Sequence, residues 1–392
     1  MRLRRSRTPQ PDPSSSTDPR SIAAAVDAVA RGSAQNHRLV VFESMSGRQY
    51  SDSPRAIYEE LVRQDVDATA VWSVRRGATD FPAGVRTVAR RSPEWIEALG
   101  TATAWVDNQG FPRWLRKPER VHYLQTWHGT PLKVMGWNDS TVAGLEASSR
   151  QELQAVYDRW DAVTAPSEYF VETIVDAFDA KAEVLRVGTP RNDVLVRGHS
   201  ADDIARRRRD LGLNDHVTTI LFAPTRTADP AVSRGRWAAA STLATPRTQV
   251  LYRGHYSDAP VAADAGSRVT DVSHIPDMAD LLVVADVLVT DYSSSMFDFA
   301  LTDRPIVLFQ PDQAAYLGDR GAYFDIREFA PGPIATTTDD LKGLAGSAAD
   351  WDGEWAPRRA EYRDRFGQYE TGRAAERVVR EYLAPLLAGA ST

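Results

Sequence analysis

The sequence predicts an α/β protein made of two Rossmann-like, doubly wound domains that face each other across a cleft. Three observations carry that prediction. Short apolar, β-branched runs alternate with helical patterns along the chain, as in βαβ units that build parallel sheets. The chain has 392 residues, more than one compact domain usually holds and enough for two of roughly 100 to 200 residues each. Residues suited to chemistry recur just after strands, where open α/β sheets bind their ligands.

In the first half the strand runs are Leu39 to Phe42, Ala70 to Val74, Val85 to Val88, Ala104 to Val106, Val121 to Thr126, Trp160 to Ala165 and Glu183 to Val187. Between them lie helical stretches. Ser53 to Val62 has Ser53 placed to cap and Pro54 suited to the first turn, Ser92 to Leu99 has the same Ser-Pro opening, and a third runs from Glu168 to Phe178. The second half opens on a helix containing Arg206 to Arg209, which reads as a solvated face. Its strands are Thr219 to Ala223, Gln249 to Tyr252, Val269 to Val272, Val287 to Thr290 and Ile306 to Phe309, with helices Met278 to Ala285 and Ser294 to Leu301 among them. The same architecture thus appears twice. The expected limits are a disordered basic tail over 1–18, one domain over 19–195, a second over 196–371, and a terminal helix over 372–392 bracing the two.

Composition narrows the chemistry. Hydrophobic residues make up 42% and charged residues 26% of the chain, as in folded globular proteins. There is no cysteine, which excludes disulfides, thiolate metal sites and cysteine nucleophiles. A net charge of −6 argues against nucleic acid as a partner, so an anionic substrate has to be met by a few placed cations. No run approaches the roughly 18 to 20 apolar residues of a membrane span, and the first residues lack the apolar core of a signal peptide. Neither an integral nor a secreted protein is expected. Arg2, Arg4, Arg5 and Arg7 suit weak attraction to an anionic membrane surface. Asp350-Trp351-Asp352 has the form of an Asp-x-Asp metal motif but falls in a terminal helical region, and chemistry without metal or cofactor is expected.

Four clusters stand at strand ends. In Trp127-His128-Gly129-Thr130-Pro131-Leu132-Lys133, an imidazole titrating near neutrality sits on a sharply turning loop and can accept the proton of an attacking hydroxyl. Ala223-Pro224-Thr225-Arg226 offers a hydroxyl and a guanidinium for phosphate, and Arg253-Gly254-His255 repeats that logic with a second imidazole. Thr290-Asp291-Tyr292-Ser293-Ser294-Ser295 runs from a buried strand into a helix. Simple capping needs one serine, so three leave donors to spare for an anion.

At these residues the chain resembles the CDP-glycerol glycerophosphotransferase family, the teichoic acid primases and polymerases of bacterial walls and related capsule enzymes. The likeness starts at Val41-Phe42-Glu43-Ser44 and Tyr50 to Ala56, and runs through the four clusters, Gly188 to Asp193, Asp271-Val272-Ser273 and Arg304-Pro305. It closes on Tyr323-Phe324-Asp325 and Pro331-Gly332-Pro333, covering nearly all of residues 38 to 380. The resemblance implies a GT-B fold, in agreement with the two-domain reading. It implies a CDP-glycerol or CDP-ribitol donor on the C-terminal domain, with Thr225, Arg226, Arg253, Asp291, Ser293, Ser294 and Ser295 around the diphosphate. His128 becomes the general base and His255 the stabiliser of charge on the transferred phosphoryl group. Gly129, Thr130, Lys133, Glu168, Arg191 and Asp193 are assigned to the acceptor side or the cleft. The implied reaction is attack of a polymer hydroxyl on the distal phosphorus with loss of CMP. The acceptor is a lipid-linked polymer, and the expected place is the cytoplasm, at the inner face of the membrane. The chain departs from many members in carrying Arg226-Thr227 where they have an aromatic-Arg pair. Two other readings compete: a glycosyltransferase using a sugar nucleotide, since fold does not select the group transferred, and a catalytically silent binding subunit.

Overall fold

The β-branched and aromatic runs form strands, and these gather into two sheets. In the N-terminal half Leu39–Glu43 (β1), Thr69–Val74 (β2), Thr87–Ala89 (β3), Ala104–Asp107 (β4), His122–Gln125 (β5), Ala162–Thr164 (β6) and Glu183–Leu185 (β7) lie in the order β3-β2-β1-β4-β5-β6-β7. In the C-terminal half Thr218–Phe222 (β8), Thr248–Tyr252 (β9), Val269–Asp271 (β10), Val287–Thr290 (β11), Ile306–Phe309 (β12) and Ile334–Ala335 (β13) lie in the order β10-β9-β8-β11-β12-β13. Every pairing is parallel. β1, β4, β11 and β12 are buried at all positions, which is why they read as unbroken apolar runs. This computed structural model describes residues 18–78, 81–227, 229–254, 268–313, 316 and 321–389. The basic tail and His255 lie outside them.

The chain reverses direction of growth between β1 and β4 in one sheet and between β8 and β11 in the other. Crevices therefore open at the carboxyl ends of those strands. Two such halves facing one another make the GT-B arrangement, and the four sequence clusters all follow β5, β8, β9 or β11.

Several local expectations are corrected. Helix Asp52–Arg63 starts one residue before Ser53, whose hydroxyl does not cap it and instead accepts from the Arg191 backbone N–H at 3.4 Å. Ser92 does cap its helix, accepting from Trp95 N–H at 3.2 Å. The stretch from Glu168 begins as one α turn and widens into a π-helix over Val171–Asp176. The arginine run sits in helix Ala201–Asp210, and only part of it is solvated. Arg207 pairs with Asp280 at 3.2 Å and Arg208 with Asp286 at 2.7 Å, tying the helix to the C-terminal sheet.

Of the two terminal elements, the first joins the halves. Helix Ala348–Phe366 places Tyr362 and Phe366 in one cluster with Phe297 and Leu288 of the C-terminal half and with Leu132 and Tyr169 of the N-terminal half. Residues 374–388, the segment expected to brace both halves, cover the N-terminal sheet. Ala374, Val378, Val379, Leu383 and Leu387 pack with Val40, Phe42, Ile57 and Leu124. Among the described residues no helix is long and apolar enough to cross a membrane.

Candidate active site

A cavity of about 490 Å³ lies between the carboxyl ends of the two sheets, within the size range of a small-ligand site. Its N-terminal wall is the loop after β5, from Trp127 to Lys133, joined by Asp52 and Arg191. Its C-terminal wall is Pro224 to Arg226, Arg253 and Ser293 to Ser295.

The β5 loop is held in an uncommon shape. Trp127 has φ 54°, and its backbone N–H donates to Gln125 Oε1 at 2.8 Å while the Gln125 amide donates to buried Asp107 at 2.9 Å. The Trp127 ring packs on Trp160 and Phe178 and stacks on the His128 imidazole, with centroids 4.8 Å apart. His128 Nδ1 lies 2.8 Å from the carbonyl oxygen of Asn108, the residue after β4. A carbonyl only accepts, so Nδ1 carries the proton and Nε2 is the bare, basic nitrogen. Desolvation by the cleft walls lowers the His128 pKa below 6.5; the Asn108 carbonyl and Asp52 oppose that shift, and Arg191 adds to it. The ring is thus neutral at neutral pH.

Gly129 follows with φ 148° and lies at a close approach of the two walls. A Cβ there would stand 2.3 Å from Ser294 Oγ, so only glycine lets the loops meet. Thr130 is buried in the same wall, and Lys133 Nζ sits 4.0 Å from the centre of the Tyr316 ring, which stacks on Tyr292.

On the facing wall, three groups are left with capacity to bind. Arg253 donates from Nη2 to Pro276 O at 3.3 Å, while its Nη1 is buried with no hydrogen-bond partner among the described residues. Burial lowers its pKa below the usual guanidinium value, against the pull of Asp277, Asp280 and Asp52. Ser294 Oγ makes no hydrogen bond among the described residues, and Arg226 is exposed at the rim without an ion pair among them. The remaining expected groups are engaged with one another. Ser293 Oγ accepts from Ser295 N–H at 3.3 Å and lies 3.1 Å from Ser295 Oγ. Thr225 donates its N–H and hydroxyl to one oxygen of Asp291, at 2.7 and 2.6 Å. Asp291, placed by expectation on the diphosphate, stands behind the wall: it also accepts from Tyr292 N–H and pairs with Arg236 at 3.0 Å. Its carboxylate organises the loop and does not face the cavity.

Of three acceptor-side expectations, Arg191 lies in the cleft as expected but is not free, and Asp193 and Glu168 are corrected. Arg191 does reach the cavity, but its guanidinium is spent on carboxylates, holding Asp52 at 3.2 Å and Asp298 at 3.0 Å. It is a buried strut between the halves. Asp193 accepts from the backbone N–H groups of Ala374 and Ala375, at 2.7 and 2.8 Å, and anchors the terminal segment. Glu168 pairs with Arg186 and Tyr369 on an open surface away from the cavity, and those partners pull its pKa down to about 2. A carboxylate that acidic is a poor base.

The sequence reading missed Asn108, Asp298, Asp277 and Tyr316. Asn108 follows a strand at the switch point, so the strand-end rule applied to β4 finds it. Asp277 accepts from the Asp52 backbone N–H at 2.9 Å and pairs with Arg55, a seam between halves that no local pattern encodes.

Residues 26–383 match the CDP-glycerol:poly(glycerophosphate) glycerophosphotransferase family. The chain belongs to that family. Among its relatives, a teichoic acid glycerol-phosphate transferase of Staphylococcus aureus is 34% identical over 365 residues, 88% of this chain and 92% of the other. A teichoic acid poly(glycerol phosphate) polymerase of Bacillus spizizenii is 30% identical over 368 residues, covering 89% and 93%. The solved structure of a variant of the wall teichoic acid polymerase TagF with CDPG superposes with a TM-score of 0.84 at 29% identity, over 95% of this chain and 93% of that one. Membership in the glycerophosphotransferase family agrees with a cavity that sets the His128 imidazole opposite Arg253, Ser294 and Arg226.

Proposed function

We propose that the protein transfers glycerol phosphate from CDP-glycerol to the hydroxyl end of a teichoic-acid-type polymer and releases CMP. The observation that carries this reading is the pairing, in one cavity, of a bare His128 Nε2 with the unpartnered Arg253 Nη1 and the free Ser294 hydroxyl opposite. The likeness to relatives named for glycerol phosphate supports glycerol over ribitol as the polyol.

In this reading the donor diphosphate lies along the C-terminal wall, on Arg253, Ser294 and Arg226. His128 Nε2 takes the proton of the acceptor hydroxyl as its oxygen bonds to the distal phosphorus, and the bond to CMP breaks on the far side. The phosphoryl group passes through a state whose charge sits on its outer oxygens, so placed donors and positioning carry most of the catalysis. Guanidinium and hydroxyl groups fill that role here without a metal. A polymer acceptor built at the membrane places the reaction at its inner face.

Incubation with CDP-glycerol and CDP-ribitol in separate arms, each with a synthetic lipid-like acceptor and with or without EDTA, tests the reading. CMP release with CDP-glycerol, phosphorus in the product and no effect of EDTA is expected. A silent binding subunit releases no CMP from either donor, and dependence on added metal overturns the metal-free route.

A further inference from the structure

A second and larger cavity, about 1330 Å³, runs along the carboxyl edge of the N-terminal sheet. It exceeds the roughly 300–1,000 Å³ of a site for one small ligand. Its lining comes from the segments after β2, β3, β4 and β5, and it joins the active-site cavity through Trp127, Lys133 and Met135, which border both. Arg48, Arg75, Arg76, Arg90, Arg91 and Arg113 line it with Lys133, against one carboxylate among the described residues, that of Asp139. That carboxylate is engaged, accepting from Thr141 N–H and hydroxyl at 2.9 and 2.7 Å. In a chain of net charge −6 this is a strong local excess of positive charge.

Three of these seven cations are unspent among the described residues. Arg90 pairs with Glu43 at 3.4 Å and Arg91 leans over Trp114, but Arg75, Arg76 and Arg113 are exposed with no ion pair among the described residues. Arginines on surfaces commonly settle on neighbouring carboxylates; among the described residues none pairs with these three.

We infer that this groove is the track for the acceptor chain, binding several phosphodiester repeats while the terminal hydroxyl reaches His128. The inference rests on the proposed transfer and adds where the acceptor lies. Dimensions agree with it. From β3 to β5 the sheet has four inter-strand gaps of about 4.8 Å, roughly 19 Å in all. A glycerol phosphate repeat has six backbone bonds, as do two peptide residues, and so extends about 7 Å. Two to three repeats span the groove. Its concavity excludes a flat bilayer, and Trp127, stacked on His128, forms the threshold between track and reaction centre.

The test uses lipid-free oligo(glycerol phosphate) acceptors of one and four repeats with the Arg75→Ala/Arg76→Ala double variant. The KM for the four-repeat acceptor is expected to rise roughly tenfold and to lose part of its salt dependence, as two charge-assisted phosphate contacts disappear. The KM for the one-repeat acceptor, kcat and CDP-glycerol affinity stay unchanged, and Arg75→Lys/Arg76→Lys restores most of the loss. Equal changes for both acceptors, or none, overturn the track. So does loss of sedimentation with phosphatidylglycerol vesicles while the four-repeat KM holds, which assigns the arginines to the membrane. Calorimetry of the four-repeat oligomer without donor reads the groove independently of turnover. Binding there by a wild-type protein that releases no CMP sustains the track and removes the proposed transfer.

Discussion

The C-terminal wall of the active-site cavity and the groove along the N-terminal sheet treat their charged groups in opposite ways. On the C-terminal wall Thr225, Asp291, Arg236, Ser293 and Ser295 bond to one another, and among the described residues Arg253 Nη1, Ser294 Oγ and Arg226 take no part in that bracing. On the N-terminal side whole arginines stand free along a long groove. A wall braced by its own bonds holds its few spare donors in fixed places, as a compact diphosphate in a fixed pose requires. A loose row of long cationic side chains follows a flexible polyanion instead.

The sharpest way to break that comparison is to remove the imidazole base that stands between the two. His128→Ala is expected to lower kcat by roughly 10²- to 10⁴-fold with CDP-glycerol affinity nearly intact. Because the base works when neutral and its pKa is lowered, wild-type kcat/KM falls only as pH drops through a value below 6.5, and the variant lacks that limb. Retention of near-normal kcat in a folded variant removes His128 from the chemistry.

Next in size is a test of stability. Arg191→Met strands Asp52 and Asp298, both buried, and is expected to cost roughly 3–5 kcal/mol in denaturant unfolding. Arg253→Met presents the contrast, because among the described residues its side chain makes one hydrogen bond, the 3.3 Å contact to Pro276 O. CDP binding should weaken by about 1.5–3 kcal/mol in calorimetry while unfolding becomes no easier. Equal destabilisation by both variants shows that Arg253 is a strut as well. The smallest effect belongs to Ser294→Ala, expected to weaken CDP binding by about 1 kcal/mol with melting unchanged. If Ser293→Ala has the same effect on binding and leaves melting unchanged, the division between bracing and binding serines fails.

Much of the fold was legible because parallel strands buried on both faces are apolar along their length. β11 and β12 match their expected limits residue for residue. The two-residue β13 is too short to show a pattern, and the π-helix after Phe170 obeys the same apolar spacing as an α-helix. At the site, the strand-end rule found His128, Arg253 and the serines. It could not tell a residue that binds from one that braces. Asp193 and Glu168 looked like acceptor groups because their partners, Ala374 and Arg186 with Tyr369, are distant in sequence. Arg191 looked free for the same reason, since Asp298 is 107 positions away.

The covering of the N-terminal sheet by residues 374–388 has a consequence for synthesis on the ribosome. Val40, Phe42, Ile57 and Leu124 are made early, yet their packing partners Val378, Val379 and Leu383 emerge only after the whole C-terminal half. Domains generally fold as they leave the ribosome, starting from the N-terminal side, but this one waits with an apolar face uncovered while about 180 further residues are translated at roughly 5–20 per second. That interval, on the order of 10 to 40 seconds, is when a nascent chain is most open to aggregation and to chaperone capture.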